Sequence, residues 1–239
     1  MPLPTISTPT YELTLPSSNR KIKYRPFLVK EEKILIIAME TQDTKQIARA
    51  VKDVLSKCIL TKGIKVEKLA TFDIEYLFLN IRGKSVGEQI EVMVTCPDDE
   101  KTQVPMSINI DDIKIQKEKD HSTDISLDDT YTLRMKYPSL SEFIKNNFDS
   151  MTDMKVDDTF DLIASCIDQV YSEEESWASE ECTKKELTTF VESLNSGQFK
   201  KVEKFFETMP KLSHTVKVTN PNTEVESEIK IEGLQNFFG

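Results

Sequence analysis

TFDIEYLFLNIRGKS, residues Thr71 to Ser85, is the stretch that decides the fold. At helical spacing it carries two neighbouring apolar stripes, one of Ile74, Leu77, Phe78 and Ile81 and one of Phe72, Tyr76 and Leu79. Most of the helix circumference is therefore apolar, which predicts a core helix that is buried on more than one side. Thr71 is the predicted N-cap and Gly83 the predicted C-terminal stop, with Arg82 and Lys84 at the end that favours cations.

Upstream of this helix, the sequence predicts an extended arm, a hairpin and two more helices. Apolar and polar residues alternate from Tyr11 to Leu15 and from Ile22 to Tyr24, which predicts the hairpin. A strongly apolar helix is expected from Val29 to Met39. The next helix is expected to begin at Asp43 and to bury one stripe, namely Ile47, Val51, Val54, Leu55 and Cys58.

Downstream, the period of the pattern changes from 3.6 to 2. Alternation over residues 90–110 predicts a hairpin with the tip CPDDEKT, and Tyr131 to Met135 reads as another strand. Residues 138–210 are predicted to be helical, with capping boxes at Ser139/Glu142 and Thr183/Glu186, a stripe at Phe160, Ile163, Ile167 and Val170, and a stop at Gly197. A last hairpin turns at Asn220-Pro221-Asn222, and its polar tip resembles that of the first.

These elements predict an α+β protein with a helical core, an N-terminal hairpin, a central antiparallel β-hairpin insertion and a C-terminal β-hairpin. We expect one integrated domain over residues 1–239. Its segments are an extended arm (1–10), the N-terminal hairpin and core helices (11–85), the β insertion (86–137), a helical part (138–210), and the C-terminal hairpin with an aromatic tail (211–239). The alternative is a division into two bodies near Pro138.

The composition narrows the range of functions. With 31 Lys+Arg against 41 Asp+Glu, the net charge is −10, which argues against binding to nucleic-acid phosphates or to an anionic membrane surface. No apolar run is long enough to span a bilayer, and the N-terminus lacks the pattern of a signal peptide, so we expect a cytosolic protein where it is made. The six glycines form no phosphate-binding loop.

No set of residues predicts an active site. His121 and His214 are not accompanied by a nucleophile motif, and the four cysteines include no CxxC pair. Cys96 lies at a hairpin tip, but a zinc knuckle needs a second thiolate where this chain has Asp99. We therefore predict a protein that is not an enzyme, with no catalytic, cofactor-binding or metal-binding residues and no cofactor.

Three surface features are candidates for partner binding instead. The first is the acidic hairpin tip with Asp98, Asp99 and Glu100. The second is Trp177, in the acidic segment Ser172 to Cys182, which either anchors an interface or holds the segment against the core. The third is the C-terminal tail with Leu234, Phe237 and Phe238, whose aromatic rings either dock on their own core or serve a partner groove.

Four blocks of sequence together resemble the baseplate hub assembly proteins of T4-type tailed phages. They are YRPFLVKEEKILIIAMET (24–41), LATFDIEYLFLNIRGKSVGE (69–88), MKYPSL (135–140) and IEGLQNFFG (231–239). The resemblance implies a non-enzymatic, chaperone-like assembly factor of the baseplate hub, with a permanent structural subunit of the hub as the alternative. It also implies that hub proteins of the same phage are the partners.

The resemblance further implies a location in the host cytoplasm during assembly, or in the tail baseplate of the virion. It implies that relatives can carry Cys pairs at the hairpin tips. Here only Cys96 is present at the first tip, and Asn220-Pro221-Asn222 occupies the second. Zinc is therefore not expected at these tips.

Overall fold

A computed structural model describes residues 6–41, 43–140 and 156–232 of the chain. Within these ranges the helices are α1 Val29–Glu40, α2 Thr44–Cys58, α3 Thr71–Val86, α4 Val156–Ser165, α5 Lys184–Ser193 and α6 Ser196–Thr208. The strands are β1 Tyr11–Thr14, β2 Lys21–Tyr24, β3 Gln89–Thr95, β4 Gln103–Asn109, β5 Lys114–Gln116, β6 Asp124–Ser126, β7 Thr132–Met135, β8 Ile167–Tyr171, β9 Ser176–Ala178, β10 Lys211–Thr219 and β11 Glu226–Glu232. The predicted α+β class is confirmed.

The predicted core helix, α3, belongs to the larger of two hydrophobic clusters. Both of its apolar stripes are shielded, and four of its apolar residues are 0% exposed, namely Ile74, Leu77, Leu79 and Ile81. The side chains around it come from α2 and from the three hairpins, and include Leu15, Ile22, Val51, Leu55, Val92, Ile108, Val216 and Ile231. A helix with two apolar stripes needs such neighbours on several sides.

The two predicted ends of α3 are wrong. Its N-cap is Ala70, and the Thr71 hydroxyl instead donates a hydrogen bond to the Pro138 carbonyl at 2.7 Å. Gly83 lies inside the helix, where a Cβ atom would come within 2.6 Å of Cδ1 of Ile110. The positive backbone angle belongs to Gly87, with φ of 139°, so the helix ends one turn later than the first glycine suggests.

The three predicted hairpins are present as antiparallel pairs: β1–β2, β3–β4 and β10–β11. The polar segment that follows Gln116 begins at the end of a strand that the sequence did not reveal. That strand, β5, pairs with β10, so that Gln116 lies opposite Lys211. The chain thus leaves this sheet after Gln116 and re-enters it at Lys211. Along the sequence, residues 117–210 form one insertion between these two paired strands.

Residues 117–210 contain the second hydrophobic cluster. Strands β6, β7, β8 and β9 form an antiparallel sheet in that order. Apolar residues of this sheet pack with those of α4 to α6, and the buried members include Ile125, Leu133, Met135, Ile163, Ile167, Val191, Val202 and Phe205. The described part of this segment is therefore a sheet packed with helices, and it combines the end of the predicted β insertion (86–137) with the predicted helical part (138–210).

The predicted helical part, residues 138–210, contains two strands that the sequence did not reveal. The stripe from Phe160 does not continue as a helix to Val170, because α4 ends at Ser165 and Ile167–Tyr171 is strand β8. The acidic connection after it contains strand β9. Gly197 is not a stop either, since it lies in the first turn of α6, whose N-cap is Asn195.

Other local predictions are confirmed. Thr183 caps α5 in a capping box with Glu186, and Asp43 accepts hydrogen bonds from the first backbone N–H groups of α2. All five residues of the predicted α2 stripe are buried, Cys58 among them. The capping box proposed at Ser139/Glu142 extends outside the described residues.

The two clusters meet around Tyr137. Its ring packs edge-on against Phe72 of α3, with 4.8 Å between the ring centroids, and it stacks on Phe205 of α6 at 5.6 Å. The backbone N–H and the hydroxyl of Thr71 both donate to the Pro138 carbonyl. The central helix is thus joined to both clusters, while the single integrated domain and its two-body alternative stay predictions.

Candidate protein-binding surfaces

The tips of the β3–β4 and β10–β11 hairpins have the same turn. In each, a residue followed by proline accepts a backbone hydrogen bond from a glutamate four positions later: Glu100 N–H donates to the Cys96 carbonyl at 3.0 Å, and Glu224 N–H to the Asn220 carbonyl at 2.9 Å. Both glutamates have positive φ, 55° and 60°. The resemblance between the two sequences therefore reflects one shared backbone conformation.

Side chains join the two tips to each other. The Asn220 amide donates to both carboxylate oxygens of Asp98, at 3.0 and 2.9 Å, and the Thr223 hydroxyl donates to the same carboxylate. The Asn222 amide donates to the Thr102 hydroxyl oxygen at 2.9 Å. The hydrogen bonds from Thr223 and then Asn220 lower the pKa of Asp98. The ionised Asp98 carboxylate therefore acts as the acceptor that connects the two hairpins.

The other two predicted acids of this tip have different environments. Asp99 accepts hydrogen bonds from the Thr102 hydroxyl and from the backbone N–H groups of Thr102 and Lys101, and these hold its pKa well below its usual range. Glu100 is exposed. Two of the three carboxylates thus bind their own chain, and a partner-facing role of the tip stays a prediction.

Cys96 is buried at the base of this tip, with 1% of its surface exposed. Burial, and then the neighbouring charges of Asp98 and Asp99, raise the pKa of its thiol. Across the described ranges, no group of three or more His, Cys, Asp or Glu residues is placed to hold a metal ion. The geometry at Cys96 is that of a buried thiol below a hydrogen-bonded turn.

The structure places His121 inside a packed aromatic cluster. Its Nδ1 lies 3.0 Å from the Thr208 hydroxyl oxygen, and its Nε2 lies 2.9 Å from the Tyr137 hydroxyl oxygen. Because the Thr208 hydroxyl already donates to the Lys204 carbonyl, Thr208 accepts from Nδ1–H, and Tyr137 donates to Nε2. These contacts give His121 a structural role at the junction of the two clusters. His214 lies on β10 opposite Ile231.

Trp177 lies on β9, the last strand of the four-stranded sheet. It is paired with Val170 and is 40% exposed, and its ring lies 6.2 Å from that of Tyr131, which is 41% exposed. The ring is thus only partly covered by its own chain. The tail residues Leu234, Phe237 and Phe238 lie outside the described residues, so their role stays a prediction.

The sequence did not reveal the largest group of exposed apolar side chains, which is on α1. Of the thirteen large exposed hydrophobic residues in the described ranges, six fall between Leu28 and Met39. They are Leu28, Val29, Ile34, Ile36, Ile37 and Met39, and we call them the α1 apolar surface. Val29 is 82% and Ile36 52% exposed. Grouped exposure of this kind makes α1 a candidate binding surface.

A buried ion pair fixes the orientation of α1. Glu31 is one of two buried residues in this helix, and its carboxylate accepts hydrogen bonds from the Arg25 guanidinium at 3.0 and 3.3 Å and from the Leu28 N–H at 2.8 Å. Burial opposes ionisation of Glu31, but these hydrogen bonds and the charge of Arg25 outweigh it, so its pKa is lowered. Glu31 and Ala38 face inward, whereas Ile36 and Ile37 are about half exposed. An acidic residue near the start of an apolar run was the one signal of this arrangement in the sequence.

The comparisons with known proteins give one match. The family described as T4 bacteriophage base plate protein matches residues 8–239. No curated protein and no solved structure matches the chain. Among the described helices, none has both the length and the apolar character needed to cross a membrane.

Proposed function

We propose a function from the premise that the chain belongs to the T4 bacteriophage base plate protein family. Within this family, the proposal is an assembly factor of the baseplate hub that acts like a chaperone, without enzymatic activity, through contacts with hub proteins during assembly of the contractile tail. The alternative is a permanent structural subunit of the hub. Membership in the family already implies contacts with other baseplate proteins.

The α1 apolar surface is the observation that carries the proposal. Burying the exposed half of an isoleucine side chain is worth roughly 1 kcal/mol, so three or four such residues give a partner a substantial apolar anchor. Leaving them in water favours self-association, and a net charge of −10 opposes that by mutual repulsion. An acidic protein with one apolar binding surface has the properties expected of a factor that is soluble alone and binds incomplete hub subunits.

Substituting one residue of the surface tests the proposal. Ile36→Lys places a charge within the α1 apolar surface, and Met93→Lys is the matched control, because Met93 is similarly exposed, at 59%, but lies on β3. Both variants are expected to keep the wild-type unfolding midpoint. From infected cells, tagged Ile36→Lys should recover at least tenfold less hub protein than the wild type, whereas Met93→Lys should recover the wild-type amount.

Equal recovery by the two variants would contradict the role of α1. Mass spectrometry of purified virions separates the assembly factor from its alternative. An assembly factor co-purifies with hub proteins in the cell and is missing from the virion, whereas a structural subunit is present in the virion in a fixed ratio.

The hairpin tip and the tail are proposed as secondary contacts. Because Asp98 and Asp99 hold the turn and the junction with the other hairpin, replacing them would disturb the fold as well as a contact. Glu100→Lys tests the exposed part of the tip alone, and deletion of residues 233–239 tests the tail. Normal hub binding by both variants would leave α1 as the main contact.

A further inference from the structure

The edge of β9 that faces away from β8 lies at the border of the second hydrophobic cluster. In the part of the chain that the structure describes, no strand pairs with this edge. Cross-strand partners share a face, so Ile125, Leu133, Val170 and Trp177 form one row across the four strands. Along this row the exposure rises from 0% at Leu133 to 40% at Trp177. The apolar face of the sheet therefore continues to an edge that its own helices do not cover.

Tyr131 extends the uncovered margin. It is two residues before Leu133, so it lies on the same face, and its ring is tilted against that of Trp177 with 6.2 Å between the centroids. Both rings are about two-fifths exposed. Two exposed aromatic rings in contact provide a flat, electron-rich surface of the kind that attracts Lys and Arg side chains.

The charges around the two rings are mainly negative. Seven acidic residues flank them in the β6–β7 and β8–β9 turns and in the turn after β9, namely Asp128, Asp129, Glu173, Glu174, Glu175, Glu180 and Glu181, all of them exposed. Segments 126–131 and 172–182 contain no Lys or Arg. Two lysines approach from outside them: Lys201 donates to the Ser126 carbonyl at 2.7 Å, and Lys136 to the Ser179 hydroxyl oxygen at 3.1 Å. The acidic residues still outnumber these two bases.

The backbone of β9 is suited to pair with a further strand. Ser172 N–H donates to the Glu175 carbonyl at 2.8 Å at the turn, and hydrogen-bonded pairs alternate along an antiparallel ladder. Val170 and Trp177 are then a bonded pair, whereas the backbone groups of Ser176 and Ala178 point away from β8. Ser176 thus directs its N–H and C=O groups, and Ala178 its N–H group, to the sheet edge beside the aromatic pair, where no strand of the described residues pairs with them.

We propose that this edge binds an extended segment of a partner protein that is rich in Lys and Arg, as a fifth strand beside β9. Main-chain hydrogen bonds to Ser176 and Ala178 hold the segment, alternate basic side chains lie over Trp177 and Tyr131, and the acidic turns attract it. The same charges repel nucleic-acid phosphates. The site is separate from the α1 apolar surface, and the inference does not rest on the role in hub assembly.

Trp177 is the only tryptophan in the sequence, so its fluorescence reports on the site directly. The probe is a ten-residue peptide of alternating Lys and Val, added to the purified full chain. We expect a saturable change in fluorescence, and a dissociation constant that rises about tenfold between 50 and 500 mM NaCl, because the attraction is screened. A peptide of alternating Glu and Val should give no change, and equal responses to the two peptides would overturn the proposal.

Two variants separate charge from strand pairing. Changing Glu173, Glu174 and Glu175 to Gln should weaken binding about tenfold, whereas the matched triple change of Glu91, Glu224 and Glu226 to Gln, on the other hairpins, should leave it unchanged. Ala178→Pro keeps every charge and fits the backbone, since φ at Ala178 is −78°, but it removes one outward N–H. It should weaken binding about fivefold.

The unfolding midpoints of all variants are measured first, so that any loss of binding is compared at equal folding. Wild-type binding by Ala178→Pro would overturn strand addition, even if the loss of the three carboxylates weakens the complex. Because the experiment uses purified protein and a synthetic peptide, its outcome is independent of whether hub proteins bind α1.

Discussion

Helices α1 and α3 are both strongly apolar, but α3 is largely buried and α1 is largely exposed. In α3 ten of sixteen residues are buried, while in α1 only Glu31 and Ala38 are. An apolar helix is therefore not by itself a core helix. Its burial depends on how many other elements surround it, and an apolar helix with few neighbours keeps much of its surface exposed, which makes it a candidate for binding a partner.

The neighbours of the two helices explain the difference. Around α3, Ser17 of the first hairpin donates to Asp73, Ile110 fills the space beside Gly83, and Pro138 accepts from Thr71. For α1, the packing is mainly against α2, and one ion pair at its N-terminal end orients it. The contacts that bury α3 come from segments far away in the sequence. The local sequences of α1 and α3 therefore look alike, although the burial of the two helices differs.

The largest expected effect is the loss of a core side chain of α3. Leu77 is 0% exposed, so Leu77→Ala removes buried contacts and leaves a cavity, and we expect it to lower the free energy of unfolding by about 2–5 kcal/mol. Ile36→Ala, on the α1 apolar surface, should change it by no more than about 0.5 kcal/mol. Urea unfolding of the two variants beside the wild type measures both. Similar losses would show that α1 is buried in solution, and the comparison would fail.

The second-largest expected effect is the change in the free energy of unfolding when the ion pair that orients α1 is broken. Arg25→Met leaves the Glu31 carboxylate buried without its cation. We expect the free energy of unfolding to fall by roughly 2–3 kcal/mol, which is less than for a fully buried pair because Arg25 itself is slightly exposed. The double variant Arg25→Met, Glu31→Met removes both charges and should recover part of that loss. A double variant no more stable than Arg25→Met alone would mean that the buried charge is not the cause.

The same pair has a predictable dependence on pH. The pKa of Glu31 is lowered in the folded chain from its ordinary value of 4.5, so the unfolded chain binds more protons in acid. The stabilisation is therefore present above about pH 4.5 and is lost as the pH falls through the folded pKa. Urea unfolding of the wild type and of the double variant at pH 7 and pH 4 should show the smaller acid effect in the variant.

Local patterns in the sequence predicted much of the fold. The α3 stripes, the hairpin turns and the capping box at Thr183 rest on residues within a few positions of one another, and the structure has each of them. The stretch around Ile167 satisfies helical spacing as well as strand alternation. There the deciding interaction is the pairing of β8 with β7, where Val170 lies opposite Leu133, and no local pattern contains it.

The candidate surfaces were predictable to the same degree. An aromatic residue among acids drew attention to Trp177, and the structure places it at a sheet edge with its ring partly exposed. The hairpin tip was found from its turn sequence, but the hydrogen bonds of Asp98 to Asn220 and Thr223 span more than 120 positions. The exposure of α1 could not be predicted, because an apolar run without a polar face reads as buried.

The smallest expected effect is a pH dependence where α3 reaches the second cluster. Phe72 packs on Tyr137, which donates to His121, and burial followed by the charge of Lys117 lowers the pKa of His121 in spite of Glu118 and Asp120. The folded chain then binds fewer protons than the unfolded chain, so stability falls as the pH drops below the ordinary histidine pKa of 6.5.

We expect the urea midpoint of the wild type to be lower at pH 5.5 than at pH 7.5, and His121→Phe to reduce this difference because Phe keeps the ring packing and cannot take up a proton. His214→Phe is the matched control, because it removes the other histidine of the sequence. If the pH dependence is unchanged in His121→Phe and disappears in His214→Phe, the junction beside α3 is not the site that responds to pH. If it disappears in His121→Phe alone, the contact between α3 and the second cluster contributes to the stability of the whole chain, as the Arg25–Glu31 ion pair is expected to do at α1.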